Sequence, residues 1–313
     1  MHAAVVTEFG TAPAYREVPV PVPSGPHEAL VEVLAAGLHP RVRSQADGSH
    51  YTSTGELPLV PGIDGVGRTP DGRLRYFVLP DTAHGSMAER TVVDLRRSVP
   101  LPDGIDPVRI AAAMNPAMSA WIALRRRTAI EPGQSVLVLG ATGSSGSLAV
   151  QIARHLGAGR VVAAGRDPER LAPLADLGAD ATVRLDEPAA VGAAAGDIDI
   201  VLDYLWGAPA VETMTAIVRA RTDRGAPLTW IQIGSVAGAE ASIPSAALRA
   251  ARLSVLGSGQ GSVPTTDIVA ELPSLVDAIA GGAFRIDTRA VPLRDASSAW
   301  ADTGSGRRIV LVP

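Results

Sequence analysis

The sequence predicts an α/β protein of two domains, a β-rich domain followed by a doubly wound parallel sheet, and three observations carry that prediction. Short β-type runs broken by Pro and Gly fill the N-terminal third, as in residues 29–33 after Pro26. From about Asn115 strand-like runs alternate with helix-like ones, which is the pattern of parallel strands joined by crossover helices. The 313 residues also exceed what one hydrophobic core usually organises.

Taken in order, the apolar runs predict strands at residues 135–139, 160–164, 198–203, 228–233 and 253–256, with a short further strand near 181–183. Between the first two, Leu148, Ala149, Ile152, Ala153 and Leu156 recur at helical spacing, so a helix covers the sheet there and Gly157 follows as its cap. Residues 309–312 read as a last strand returning to the first domain. No repeat or low-complexity linker interrupts the chain.

Composition removes whole classes of chemistry. The chain has no Cys, hence no disulfide, thiol nucleophile, Cys-ligated zinc or iron–sulfur cluster. All 28 basic residues are Arg, which excludes a Schiff-base lysine, a P-loop lysine and any Tyr/Lys proton relay. With a net charge of −4 and no long basic run, a nucleic-acid partner is not expected, and the cluster Arg125, Arg126 and Arg127 reads as a solvated helix end. No apolar run reaches the roughly 18 to 20 residues of a membrane span. Residues 1–10 lack the pattern of a secretory signal, so the cytoplasm is the expected compartment.

The strongest local signal is Ser135-Val-Leu-Val-Leu-Gly140-Ala-Thr-Gly143-Ser-Ser-Gly146, a buried strand running through a glycine-rich turn into a helix. Glycines permit a tight turn and close backbone approach, while free N–H groups and the helix dipole favour a dinucleotide pyrophosphate. The spacing is GxxGxxG and not the better-known GxGxxG, so its strand–turn–helix context carries the reading; a purely structural turn is the alternative. The second strand selects the coenzyme. Sites for NAD usually end it with an acid on the ribose 2′-OH, but here Gly165 stands at that place and Arg166 follows with a fork suited to phosphate. This favours NADPH, and Asp167, slightly too late in the chain, keeps NADH open.

Val136-Leu-Val-Leu-Gly-Ala-Thr-Gly143 followed by Gln151-Ile-Ala-Arg-His-Leu-Gly-Ala158 resembles the cofactor segment of the zinc-independent, quinone-oxidoreductase-like branch of the medium-chain dehydrogenase/reductase superfamily. Glu32-Val-Leu-Ala-Ala-Gly37, Pro61-Gly-Ile-Asp-Gly-Val-Gly67, Gly85-Ser-Met-Ala-Glu89, Ala120-Trp-Ile-Ala-Leu124 and Gly306-Arg-Arg-Ile-Val-Leu311 are similar to further landmarks in the family's order. The resemblance implies a Rossmann NADPH-binding domain over 117–258. It also implies a GroES-like catalytic domain over 1–116 completed by 259–313, with the nicotinamide in the cleft between them. Zinc-dependent members carry a Gly-His-Glu stretch where this chain has Gly62-Ile63-Asp64, and His2, His27, His39, His50, His84 and His155 form no ligand pair, so no metal is expected.

Carried over residue by residue, the resemblance assigns the cofactor to Gly140, Ala141, Thr142, Gly143, Ser144 and Ser145 at the pyrophosphate and to Gly165 and Arg166 at the 2′-phosphate. Ile233, Gly234 and Ser235, and Gly257, Ser258 and Gly259, lie at later strand ends, where open sheets bind ligands. Asp203 falls at another strand end, as a cofactor contact or a turn residue. Asn115 holds the nicotinamide or caps a helix. Arg307 or Arg308 stands where many relatives have Lys and approaches the cofactor or solvent. Trp121 reads as core. His39 stands where relatives often have Asn, and Val42 where they have Asp. His39 and Tyr51 are the candidate proton donors or carbonyl binders, with a packing or solvated role as the alternative for each.

The resulting expectation is an NADPH-dependent oxidoreductase passing a hydride, without zinc, to a small quinone or α,β-unsaturated carbonyl substrate. A homodimer formed through the edge strand around Ser254 is implied by the resemblance alone. A short-chain dehydrogenase needs a Tyr-x-x-x-Lys pair that a chain without Lys cannot supply. A non-catalytic NADPH-binding redox sensor or structural protein is the alternative from another class.

Overall fold

The Val-, Leu-, Ile- and Ala-rich runs after residue 130 become a six-stranded parallel sheet in the computed structural model, which describes residues 1–302 and 306–313. In spatial order its strands are Ala181–Arg184, Arg160–Gly165, Ser135–Leu139, Ile200–Asp203, Leu228–Gln232 and Leu253–Gly257, every neighbouring pair parallel. Strands buried on both faces need no polar alternation, which is why Val136, Leu137, Val138 and Leu139 run uninterrupted and fully buried. Chain order 3-2-1-4-5-6 reverses direction between Ser135–Leu139 and Ile200–Asp203, and an open sheet binds ligands beyond the carboxyl ends at that switch point.

Three strands, ending at Gly165, Arg184 and Gly257, run one residue further than expected, and two other strand ends differ for identifiable reasons. Pairing of the fourth strand starts at Ile200 and not at 198, because the Asp199 carboxylate accepts from Ser135 N at 2.8 Å and Ser135 Oγ at 2.7 Å. The fifth ends at Gln232 because Ile233 N turns back to donate to Asp203 O at 2.7 Å. The helix Ser144–His155 buries Leu148, Ala149, Ile152 and Ala153 against the sheet, as its periodicity predicts, and leaves Leu156 half-buried. On the opposite layer Ile217 and Met214 of the helix Gly207–Ala220 join Val201, Leu137 and Trp230 in one core cluster. Each such side chain contributes about 1.5–3 kcal/mol by leaving water. Trp121 is buried as expected. The arginine cluster is more structural than a solvated helix end: Arg125 lies over the Trp121 ring, and Arg127 donates to Gly257 O and Ser262 O.

The chain divides into two units: Ala117–Ile268 with Ala283–Arg285, which holds the parallel sheet, and Met1–Pro116 with Val269–Gly282 and Ile286–Pro313. The second unit is built on a sheet ordered Thr288–Pro292, Arg308–Val312, Glu28–Gly37, Asp64–Arg68, Leu74–Val78 and Ser98–Pro100, with Arg90–Asp94 also paired to Glu28–Gly37. Its terminal strand joins the long one antiparallel, Val310 facing Gly37 and Leu311 facing Ala36. Val31, Val33, Leu38, Val42, Ile63, Phe77, Met87 and Leu311 share its core. Among the described residues no helix is long and apolar enough to cross a membrane.

Candidate functional site

At the switch point the strand Ser135–Leu139 ends in Gly140, whose φ of +81° belongs to the left-handed region that side chains disfavour. Gly140 N and Ala141 N both donate to Ala164 O at 3.0 Å, which ties the turn to the second strand, and Gly143 N closes it on Gly140 O at 3.1 Å. The helix Ser144–His155 starts immediately, with Gly143 at its N-cap and no side-chain cap. Its first bond back is Ser147 N to Gly143 O, so the amides of Ser144, Ser145 and Gly146 have no carbonyl one turn earlier to bond. A Cβ on Gly146 would stand 2.2 Å from Gly140 O and 2.7 Å from Ala141 Cα; the helix can press on the turn only because residue 146 is glycine. Free amides, an uncapped dipole and close backbone approach together make an anion cradle.

The second strand ends beside that turn. A Cβ on Gly165 would meet Thr142 Cγ2 at 2.7 Å, so the position where an NAD site carries its acid is filled by a side chain of the turn itself. Arg166 is exposed and has no partner among the described residues. Asp167 is occupied as the N-cap of the short helix Pro168–Leu171, accepting from Glu169 N at 2.9 Å and Arg170 N at 3.4 Å. Arg170, which the sequence reading passed over, donates to Thr142 O at 2.9 Å and sets its guanidinium against the turn. Its place in the first turn of the helix that follows the second strand, capped by Asp167 with Pro168 at its start, is the signal that could have found it.

The remaining strand ends lie along the same carboxyl edge of the sheet. Asp203 is fully buried with both oxygens committed, Oδ1 to Leu205 N at 2.8 Å and Trp206 N at 3.0 Å, Oδ2 to Trp230 Nε1 at 3.0 Å. Burial pushes its carboxyl above the usual range, against those three donors. The turn alternative therefore describes it, and it shapes the edge from below. The loop it caps places Trp206 at φ +53°, an unusual conformation for a bulky residue. Ile233, Gly234 and Ser235 pack on that loop, Gly234 N donating to Asp203 O at 3.1 Å. Gly257 and Gly259 are exposed, whereas Ser258 is buried and donates its N–H to Gln232 O at 2.8 Å. Asn115 sits half-buried inside the helix Pro107–Ile122, which corrects its reading as an N-cap: the helix begins eight residues earlier and runs through Pro116.

In the other unit a buried polar chain surrounds His39. The residue ends the long strand's continuation and stands at the N-cap of Pro40–Ala46, with its ring 1% exposed. His39 Nε2 lies 3.0 Å from Asp64 Oδ1, and Tyr76 OH donates to Asp64 Oδ2 at 2.8 Å. Ser86 Oγ donates to Asp64 O at 2.6 Å and fixes that backbone. Burial lowers the His39 pKa, with Arg308 and Arg41 adding to the effect and Asp64 opposing it, while burial and Asp64 raise the Tyr76 phenol. Both groups are therefore neutral, and a neutral ring beside a carboxylate carries its proton on the nitrogen facing it, Nε2. His39 Nδ1 has no partner among the described residues. This changes the chemistry expected of His39: its open nitrogen accepts a hydrogen bond and does not donate one.

Arg308 lies buried within the influence of Asp64, its Nε donating to Ala112 O at 3.4 Å, and burial brings its pKa down to about 10. Arg307 beside it is exposed. Val42, where relatives carry Asp, is fully buried core. Tyr51 is 71% exposed, its ring centroid 4.2 Å from that of His50. His50 in turn bonds Thr52 Oγ1, which donates to Asp81 Oδ2 at 2.6 Å beside Arg41. Nearby, Phe9, Gln45, Ser53, Leu59 and Asp81 line a small hollow in which Ser53 Oγ and Asp81 Oδ1 are unpartnered among the described residues. No group of three His, Asp or Glu side chains suited to a metal ion exists among the described residues.

Comparison with known proteins follows the same outline. The family model described as "Zinc-binding dehydrogenase" matches residues 146–280. A protein of Emericella nidulans, "Probable NADPH-dependent quinone reductase tdiC", is 33% identical over 359 aligned residues, covering 100% of both chains. The "NADPH-dependent alkenal/one oxidoreductase, chloroplastic" of Arabidopsis thaliana is 30% identical over 172 residues, 50% of this chain and 44% of that one. The quinone oxidoreductase of Thermus thermophilus, solved also in complex with NADPH, superposes with a TM-score of 0.85 at 28% identity, covering 100% of both chains.

Proposed function

The chain belongs to the medium-chain dehydrogenase/reductase superfamily, in its quinone-oxidoreductase-like branch, and from that membership we propose zinc-free reduction of a quinone or an α,β-unsaturated carbonyl compound with NADPH. The observation that carries the reading is the glycine turn at the switch point, with first-turn amides left without intrahelical partners beside the Arg170 guanidinium, and exposed Arg166 at the end of the neighbouring strand. Its residues fit a dinucleotide: Gly140 to Ser145 would take the pyrophosphate, and Arg166 with Arg170 the 2′-phosphate. Ile233 to Ser235 and Gly257 to Gly259 would border the rest of the molecule. Asn115 would serve the nicotinamide end.

When bound, NADPH supplies a hydride, so the protein needs no redox group of its own. A chain without Cys, whose buried His39 is already paired with Asp64, offers poor zinc ligands, and acceptors polarised by conjugation need no Lewis acid. Tyr51 is the proton donor nearest in character to what such a reduction requires, and bulk water reaches its exposed hydroxyl. Catalytic action in the cytoplasm and a homodimer through the edge strand Leu253–Gly257, where Val255 is 36% exposed, complete the proposal.

Side-by-side titration with NADPH and NADH, followed by a panel of quinones and enones, tests it. Tighter NADPH binding and oxidation of NADPH by at least one acceptor are expected. Equal affinity for both coenzymes would remove the assignment of Arg166, and tight binding with no oxidation by any acceptor would leave a coenzyme-binding protein without this activity.

A further inference from the structure

The small hollow bordered by Gln45, Ser53, Glu56 and Asp81 lies wholly within the unit that carries residues 1–116. The Asp81 side chain is 10% exposed. Its Oδ2 is fully engaged, accepting from Arg41 Nη2 and from the Thr52 hydroxyl at 2.6 Å, whereas Oδ1 is buried and without a partner among the described residues. Ser53 Oγ is buried and unpartnered in the same way, although Ser53 N is tied to His50 O at 2.9 Å. A carboxylate oxygen buried bare is costly unless something of opposite character meets it.

The charges around the hollow identify that partner. Arg41 balances Asp81, and Glu56 at the rim has no ion pair among the described residues, so one negative charge is left over. His50 adds none, because burial first and Arg41 second hold its pKa at about 4. The donors are hard oxygens: a carboxylate, a hydroxyl, and at the rim the carbonyls of Thr54 and Gly55, which accept no bond among the described residues. Such a set does not select a transition metal, and one buried carboxylate already shared with Arg41 is too little charge to dehydrate magnesium. The space takes about one particle of water's size, which is also the size of a potassium ion. We propose that the hollow binds potassium, with Asp81 Oδ1 and Ser53 Oγ as ligands and Glu56 supplying charge from the rim. The ion ties the segment that follows Tyr51 to Asp81. The role of Tyr51 as a proton donor belongs to the reading above, but the cation site stands without it.

The test uses the full chain. Hydrogen exchange of the peptide covering residues 50–59, followed by mass spectrometry, compares potassium chloride with tetramethylammonium chloride at equal ionic strength. Where potassium exceeds its Kd about tenfold, exchange in this peptide should slow about tenfold, while residues 135–157 stay unchanged. Thallium(I), standing in for potassium, should give a shifted thallium-205 resonance that added potassium reverses. Glu56→Gln, which touches only the rim, should weaken the ion by about two- to fivefold, and Ser53→Ala by about tenfold. Asp81→Asn should abolish binding; where loss of the Arg41 pair prevents folding, the other two variants decide. Equal exchange in the two salts would overturn the proposal and leave water as the occupant, and protection by magnesium but not by potassium would overturn it too. No coenzyme or acceptor enters these measurements, so their failure is distinct from failure of the oxidoreductase reading.

Discussion

Replacing Arg166 by Ala should weaken NADPH while leaving NADH almost unchanged. Arg166 is exposed and unpaired among the described residues, so its removal breaks no internal contact and reports on the ligand alone. A hydrogen bond to a charged group is worth about 1.5–3 kcal/mol, or roughly 10- to 150-fold in affinity, and exposure favours the lower end. Arg170 limits the loss: it is anchored on Thr142 O at 2.9 Å and keeps further N–H groups for the phosphate. A loss of about 10- to 30-fold is expected for Arg166→Ala, and roughly tenfold more for the double variant with Arg170→Ala. The companion change, Gly165→Asp, should not convert the protein to NADH, because its Cβ would lie 2.7 Å from Thr142 Cγ2 and displace the turn proposed to hold the pyrophosphate. In a Thr142→Ser background, without that methyl group, the same Asp should begin to favour NADH. Fluorescence or calorimetric titration measures all of these constants. An NADPH-to-NADH ratio that stays constant from the unmodified chain to the double variant would refute the reasoning.

Three further outcomes are expected. Gly146→Ala places a methyl group 2.2 Å from Gly140 O, so the helix must back away from the turn; about 3 kcal/mol of stability should be lost, together with coenzyme binding, in a denaturant titration and a binding assay on the same sample. Asp203→Asn keeps an oxygen for Leu205 N and Trp206 N but turns an NH₂ toward Trp230 Nε1, leaving that buried donor unmatched at a cost of about 1–3 kcal/mol; unchanged urea unfolding would show that the indole bond contributes nothing. His50 is held down to about 4 from its ordinary 6.5, by burial first and Arg41 second. The unfolded chain thus takes up the proton earlier than the folded one, and stability should fall as pH drops from about 6.5 toward 4, by about 1–2 kcal/mol once solvent screening of the half-buried ring is allowed for. His50→Gln should flatten that part of the stability–pH curve, leaving the contribution of His39, whose pKa burial also lowers.

How much of this was legible beforehand depended on how local each feature is. The strand Ser135–Leu139, its turn and its helix are contiguous, and their glycines, apolar run and helical period all point to one structure, so the fold and the strand–turn–helix geometry could be read directly. The position of Arg166 just past a strand end was likewise local. The His39–Asp64–Tyr76 chain was not legible, because it is assembled by strand register. Asp64 faces Val78 across the ladder, which puts Tyr76 on its diagonal, and His39 reaches Asp64 only through a strand whose pairing shifts at a bulge between Val33 and Ala35. Asp203 shows the same limit: a cap and a cofactor contact look alike in sequence until register sets Trp230 against Val201, close enough for its indole to claim the second carboxylate oxygen.

The two units also differ in their chemistry. The parallel-sheet unit offers backbone amides and guanidinium groups, fixed donors whose charge does not change near neutral pH, and they suit a ligand of constant negative charge. The unit around His39 offers the reverse, a neutral acceptor balanced between one buried carboxylate and one buried guanidinium. Such a balance is sensitive: with Asp64 alone the proton would be drawn onto His39, and with Arg308 alone it would be driven off over a wider range. Holding both keeps the charge around the ring close to balance, so small changes in either partner shift it. Burial lowers the pKa of this histidine, so its ring is neutral near neutral pH, and the charge of the unit's core is carried by Asp64 and Arg308.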